Sequence, residues 1–88
     1  MRRAAKVDAT QSAIVSALRK AGCQVESLAA VGRGVPDLLV SRGGGRGLYL
    51  LECKSKGGSL TPAQRKWHAL FPVHVVTDAE SALRAVCL

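Results

Sequence analysis

The sequence predicts an α/β fold: a small mixed β-sheet flanked by helices, in the order αβββαβα. Three observations carry this. Apolar residues recur at helical spacing behind capping residues in three separate places. Between the first two lie short strand-like runs, two of them apolar on both faces. A glycine cluster, Gly43-Gly44-Gly45-Arg46-Gly47, parts those two runs as a hairpin turn would. The 88 residues suit one domain without a separate regulatory module, with a small core that buries roughly 60–70% of the surface the unfolded chain exposes.

In chain order, Arg2, Arg3, Ala4, Ala5 and Lys6 carry charge without pattern. Residues 1–7 read as a flexible basic arm, solubilising or DNA-contacting, ahead of a single domain at 8–88. Asp8 can cap the first helix, and Gln11 three residues on completes a capping-box pattern. Ile14, Val15, Leu18 and Ala21 mark its apolar stripe, Arg19 and Lys20 suit its C-terminal dipole, and Gly22 stops it. The expected helix runs from about Ala9 to Ala21. A weaker strand follows over Cys23 to Ala30, broken by Gly32-Arg33-Gly34, with Pro36 opening the next element. Leu38-Leu39-Val40 and Leu48-Tyr49-Leu50-Leu51 are expected as central strands covered by helices on each side. After the Lys56-Gly57-Gly58-Ser59 loop, Thr61 caps a helix with Pro62 first and Gln64 third, ending near Leu70 before Pro72. Val73 to Thr77 is a short β-branched strand, and Asp78 caps a last helix carrying Ala82, Leu83 and Val86.

Charge and composition narrow the function. Thirteen Lys and Arg against six Asp and Glu give +7, and the pI is near 10.0. Such an excess in a small domain points to a polyanionic partner, against the plainer reading of a soluble basic protein without one. Tyr49, Trp67 and Phe71 are the only rings, so base stacking is poorly supplied and contact with phosphates is favoured. Hydrophobic content of 48% argues against disorder. No apolar run exceeds five residues, which excludes a membrane-spanning helix. Met-Arg-Arg leads into no apolar signal region, so the cytoplasm is the expected compartment. Cys23, Cys53 and Cys87 are odd in number and far apart, which fits a reducing environment. A zinc site from Cys23, Cys53, His68 and His74 lacks finger-like spacing, and a Cys53 nucleophile served by either histidine is no more specific.

The residues that suggest chemistry are Pro36-Asp37 and Glu52-Cys53-Lys54. Charges ending apolar strands are costly to bury unless paired or bound to metal. Strand alternation places Glu52 and Lys54 on one face. With the hairpin turning at Gly44-Gly45, Leu39 falls opposite Leu50, Val40 opposite Tyr49, and Asp37 opposite Glu52. Two carboxylates meeting there repel unless a cation lies between them, and a hard divalent metal fits. The alternative is an ordinary Glu52–Lys54 ion pair with Asp37 capping a turn.

Three segments, Val31-Gly32-Arg33-Gly34-Val35-Pro36-Asp37-Leu38-Leu39-Val40, Leu51-Glu52-Cys53-Lys54 and Leu60-Thr61-Pro62-Ala63-Gln64-Arg65-Lys66-Trp67, together resemble the PD-(D/E)xK nuclease superfamily. Within it the chain is similar to small, stand-alone, phage-associated VRR-NUC domains, which implies a phage or bacterial origin. The resemblance implies a restriction-endonuclease-like core and metal-dependent DNA endonuclease activity with Mg²⁺ or Mn²⁺. It implies Asp37, Glu52 and the Cys53 carbonyl as metal ligands, Lys54 as the residue that positions or activates water, and Gln64 as the helix glutamine reaching toward lysine and phosphate. Many relatives carry a glutamate near the start of the first helix; Gln11 holds the nearest position here, as a site residue or only as a capping residue. That departure removes a carboxylate and favours one metal, with Glu26 a less apt substitute. Arg33, Lys56, Arg65 and Lys66 are the candidate DNA contacts. Kinship also implies a homodimer acting on branched DNA such as four-way (Holliday) junctions, with the Ala85-Val86-Cys87-Leu88 segment a candidate surface. The alternatives are a DNA-binding module that keeps the fold without cleaving, and a small subunit whose charge serves RNA or a partner protein.

Overall fold

A computed structural model describes residues 9–88; the basic arm at residues 1–7 and the cap expected of Asp8 lie outside the described residues. Helix α1 (Ala9–Lys20) ends at Gly22, whose φ of 95° is left-handed, a conformation glycine adopts at no steric cost. Cys23 N–H donates to the Leu18 carbonyl and Gly22 N–H to the Arg19 carbonyl, both at 3.0 Å. These two bonds satisfy carbonyls the helix leaves orphaned. There follow β1 (Gln24–Ser27), β2 (Leu38–Ser41), β3 (Leu48–Cys53), α2 (Pro62–Leu70), β4 (Val73–Val76) and α3 (Ala79–Ala85), the predicted order. Both later helices begin with capping boxes, Thr61 with Gln64 and Asp78 with Ser81.

The sheet order is β1-β2-β3-β4. The first two pairings are antiparallel and β3–β4 is parallel, since α2 carries the chain back across the sheet. Leu38 pairs with Leu51, Leu39 with Leu50 and Val40 with Tyr49, the register the hairpin reading expects. The first strand is shorter than expected. After Ser27, Leu28 N–H still donates to the Asp37 carbonyl at 2.7 Å, but Val31 N–H turns back onto the Leu28 carbonyl, and Gly32, Arg33 and Gly34 all take positive φ.

Alternation sorts the sheet into two faces. Leu38, Val40, Leu51 and Val76 pack under Ile14 and Leu18 of α1 and Ala82 of α3, with Val86 just beyond it, as one dry cluster. Helices flank the sheet on both sides as expected, though unevenly: α1 and α3 share one face, whereas α2 buries no residue and leaves Leu48 and Val75 exposed on the other. This happens because α2 is only nine residues long and its apolar residues Ala63, Trp67 and Leu70 line an open groove with Arg33 and Lys66. One expectation is corrected here: the segment Ala85 to Leu88 is not a free apolar surface. Val86 is fully buried in the core, and only Cys87 and Leu88 are exposed.

Candidate active site

Asp37 directly precedes β2, behind the fully buried Pro36. Glu52 is the fifth residue of β3 and Lys54 follows the strand's end. Because Leu51 points into the core, alternation turns Glu52 and Lys54 to the opposite face, on the side where Asp37 stands. Glu52 is nevertheless only 2% exposed. Its Oε2 accepts from Gln64 Nε2 at 3.1 Å and lies 3.7 Å from Lys54 Nζ. The other oxygen, Oε1, is buried with no hydrogen-bond donor.

Asp37 is held from the backbone: its Oδ2 accepts from Cys53 N–H at 2.8 Å. A bond across the open end of the hairpin thus fixes one carboxylate beside the residue that follows the other. Burial, and then the charge and hydrogen bonding of the Asp37 carboxyl, push Glu52 up to about 7, while Lys54 pulls the other way. The charge of a neighbouring carboxylate disfavours the ionised form of Glu52, a penalty that a cation beside the pair would relieve.

Gln64 has two tasks. Its Oε1 accepts from Thr61 N–H at 2.9 Å and its backbone N–H donates to Thr61 Oγ1 at 3.2 Å, closing the capping box. With the amide oxygen so committed, the NH₂ group faces Glu52. The loop that delivers Asp37 docks on the same turn: a Cβ at Gly34 would lie 2.5 Å from the Ala63 carbonyl carbon. Only glycine permits that approach. Sequence reasoning took the Gly32–Gly34 run as a strand breaker and missed this; the signal was a glycine pair at fixed distance from the aspartate.

The remaining candidates divide. Gln11 is buried in α1 and lines a groove of about 550 Å³ with Ser27 and Leu38, the neighbour of Asp37. Glu26 is exposed on β1 opposite Leu39, and among the described residues no group of three or more His, Cys, Asp or Glu forms a metal-holding cluster. Arg33 and Lys66 line one groove beside α2. Arg65 is exposed on α2, and Lys56 is exposed near Asp78, whose acidity it enhances slightly behind the stronger effect of the Ser81 hydrogen bonds.

A donor set of two facing carboxylates with an unsatisfied buried oxygen, flanked by a lysine and an amide, on a hairpin within a mixed sheet, is the layout of a nuclease-type core. The family model of the VRR-NUC domain matches residues 3–80, and the chain belongs to that family, within the PD-(D/E)xK superfamily. Membership carries a nuclease-type role in DNA processing. The match runs into the first turn of α3. No curated protein and no solved structure matches the chain significantly. No helix among the described residues is long and apolar enough to cross a membrane.

Proposed function

We propose that the protein is a metal-dependent DNA endonuclease that hydrolyses phosphodiester bonds at the Asp37–Glu52 pair. The observation that carries the reading is Glu52 Oε1, a buried carboxylate oxygen without a donor beside a second carboxylate. An acid in that state asks for a cation. Asp37, Glu52 and the Cys53 carbonyl would hold one Mg²⁺ or Mn²⁺, a hard ion suited to oxygen donors. Bound there, the ion supplies Lewis-acid polarisation of a phosphate oxygen and makes water more acidic.

The chain's own groups do the rest. Gln64 and Lys54 occupy Glu52 Oε2, which leaves Oε1 for the ion. Lys54, with 19% of its side chain exposed, keeps a positive charge where the transition state gathers negative charge. Arg33, Lys56, Arg65 and Lys66 draw in the phosphate backbone. The resemblance implies an acid near the start of the first helix, where Gln11 holds the nearest position, so one metal is the proposed complement. Branched DNA is the proposed substrate and a two-fold homodimer the proposed assembly, since paired cuts need two related sites. The exposed Leu48 and Val75 offer apolar surface for such pairing.

The test is cleavage of labelled duplex, flap and four-way junction DNA with Mg²⁺ or Mn²⁺. Asp37→Ala and Glu52→Ala should each lower the rate by roughly a thousandfold or more, several kcal/mol of lost transition-state stabilisation. Lys54→Ala should lose rate while keeping Mn²⁺ affinity better than the acid variants. Unchanged Mn²⁺ affinity in both acid variants refutes the assignment. Metal-independent binding without cleavage would leave a DNA-binding module.

A further inference from the structure

The scarcity of aromatic residues argues against base stacking, but their placement argues for it. Two of the three rings gather at α2. Trp67 and Phe71 stack with centroids 4.3 Å apart and planes 29° from parallel. Trp67 also lines a groove of about 460 Å³ with Arg33, Ala63, Lys66 and Leu70. Phe71 lies outside that lining and covers part of the indole by stacking on it. Leu70 is 76% exposed. Around this apolar floor stand two cations. Lys66 projects from α2, and Arg33 comes from the facing loop at φ 58°, between Gly32 and Gly34 at 72° and 82°. Left-handed backbone is uncommon for a residue with a long side chain, and here it belongs to the loop whose Gly34 is pressed on Ala63.

We infer that this groove binds an unpaired nucleobase of a DNA strand, the base against Trp67 and Leu70 and its flanking phosphate held by Arg33 and Lys66. Naming DNA rests on the nuclease reading above; the groove's chemistry does not. Its volume suits a single small aromatic ligand and is too small for a duplex. Its cations match a phosphate. It also neighbours the proposed site: Trp67 lies three residues of α2, about 4.5 Å of rise, beyond Gln64, whose amide reaches Glu52. Stacking on an indole is tolerant of base identity, so the groove selects an unpaired base rather than a sequence. A nuclease equipped with it favours DNA that is open beside the cut.

Trp67 is the sole tryptophan, so its fluorescence reports on the groove directly. The experiment titrates the full chain, in EDTA, with a short oligothymidylate, with an abasic oligomer of equal phosphate count, and with blunt duplex, following indole emission and ligand anisotropy together. The oligothymidylate should quench Trp67 and the abasic oligomer should not. Trp67→Ala should weaken oligothymidylate binding roughly tenfold, within the range of one stacked base, and Trp67→Phe should retain it. Arg33→Gln and Lys66→Gln, which alter exposed side chains, should each weaken it several-fold while quenching at saturation persists; they serve if Trp67→Ala fails to fold. Equal affinity for the abasic oligomer, with no quenching by either, overturns the groove and leaves the nuclease reading standing. Tighter binding of oligouridylate overturns DNA as the ligand. Failure to bind any nucleic acid, duplex included, overturns both readings.

Discussion

The two faces of the sheet are built to opposite rules. Under α1 and α3, Leu38, Val40 and Leu51 meet Ile14, Leu18, Ala82 and Val86, every one of them without exposed surface. The opposite face holds half-buried Leu39 and Leu50, exposed Leu48 and Val75, and the buried, charged Glu52. It is covered only in part by α2, a helix tied down by Gln64 and the Gly34–Ala63 contact. Neighbours along β3 therefore differ in their effect: Leu51 contributes to stability, and the buried charge of Glu52 opposes it. A domain this small can carry one buried carboxylate oxygen without a partner, Glu52 Oε1, because its other face is closed and apolar.

Truncating neighbouring residues of β3 in turn puts this contrast under the heaviest load. Leu51→Ala opens a cavity in the dry cluster and should cost about 2–5 kcal/mol, a large part of the stability of such a domain. Leu50→Ala, on the half-open face, should cost less than about 1.5 kcal/mol, as only part of its side chain leaves water on folding. Urea unfolding midpoints at constant slope measure both. Equal costs would mean that the two faces are packed alike.

The next effect comes from Glu52 itself and has a definite sign. Its ordinary value is 4.5 and its value in the fold is about 7, so between these limits the folded state holds a proton that the unfolded chain releases. Stability of the metal-free protein is then full below about pH 4.5 and is lost as pH rises through 7. The loss is on the order of 3 kcal/mol, since each tenfold change in proton affinity is worth about 1.4 kcal/mol. Glu52→Gln removes the penalty, so the metal-free variant should melt several degrees above the parent at pH 8 and near it at pH 4.5. Mn²⁺ should raise the parent's melting temperature at pH 8 and leave the variant's unchanged. A variant less stable than the parent at pH 8 would show that the carboxylate is held by its neighbours rather than strained by them.

How much of this was legible in the residues follows from the range of each interaction. The hairpin register could be read because Leu39, Val40, Tyr49 and Leu50 alternate around a glycine turn, and a slip of one residue would reverse both faces. From that register came the meeting of Asp37 and Glu52. Thr61 with Gln64 was legible as a capping box for the same reason, since its partners lie three residues apart. The second bond of Gln64, to Glu52, spans 12 positions and depends on how α2 docks; the resemblance aimed Gln64 toward the lysine and phosphate instead. The Cys53 N–H bond to Asp37 spans 16 and involves a backbone donor that any residue but proline would supply, so no side-chain pattern announces it. Val86 misled for a related reason. An apolar tail at the end of a chain reads alike as surface or core until α3 is seen packed on α1.

The smallest effect tests whether the closed face can be strengthened without touching the other. Helices α1 and α3 stop in the same way. Gly22 N–H and Cys23 N–H close α1, while Cys87 N–H donates to the Arg84 carbonyl at 3.0 Å and Leu88 N–H to the Leu83 carbonyl at 2.8 Å to close α3. The left-handed position is filled by glycine at the first stop and by Cys87, at φ 66°, at the second. A residue with a Cβ is strained there and glycine is not. Cys87 is exposed and its side chain contributes nothing to the core. Cys87→Gly should therefore stabilise the protein by about 0.5–1 kcal/mol, the relief of strain being offset in part by glycine's greater freedom in the unfolded chain. The gain reaches the sheet through Val86 and Ala82, on the face away from Glu52. It should raise the unfolding midpoint while leaving Mn²⁺ affinity and the pH dependence of melting as they were. A change in either would mean that the two faces are coupled through β3, and that the site responds to the tightness of the core beneath it.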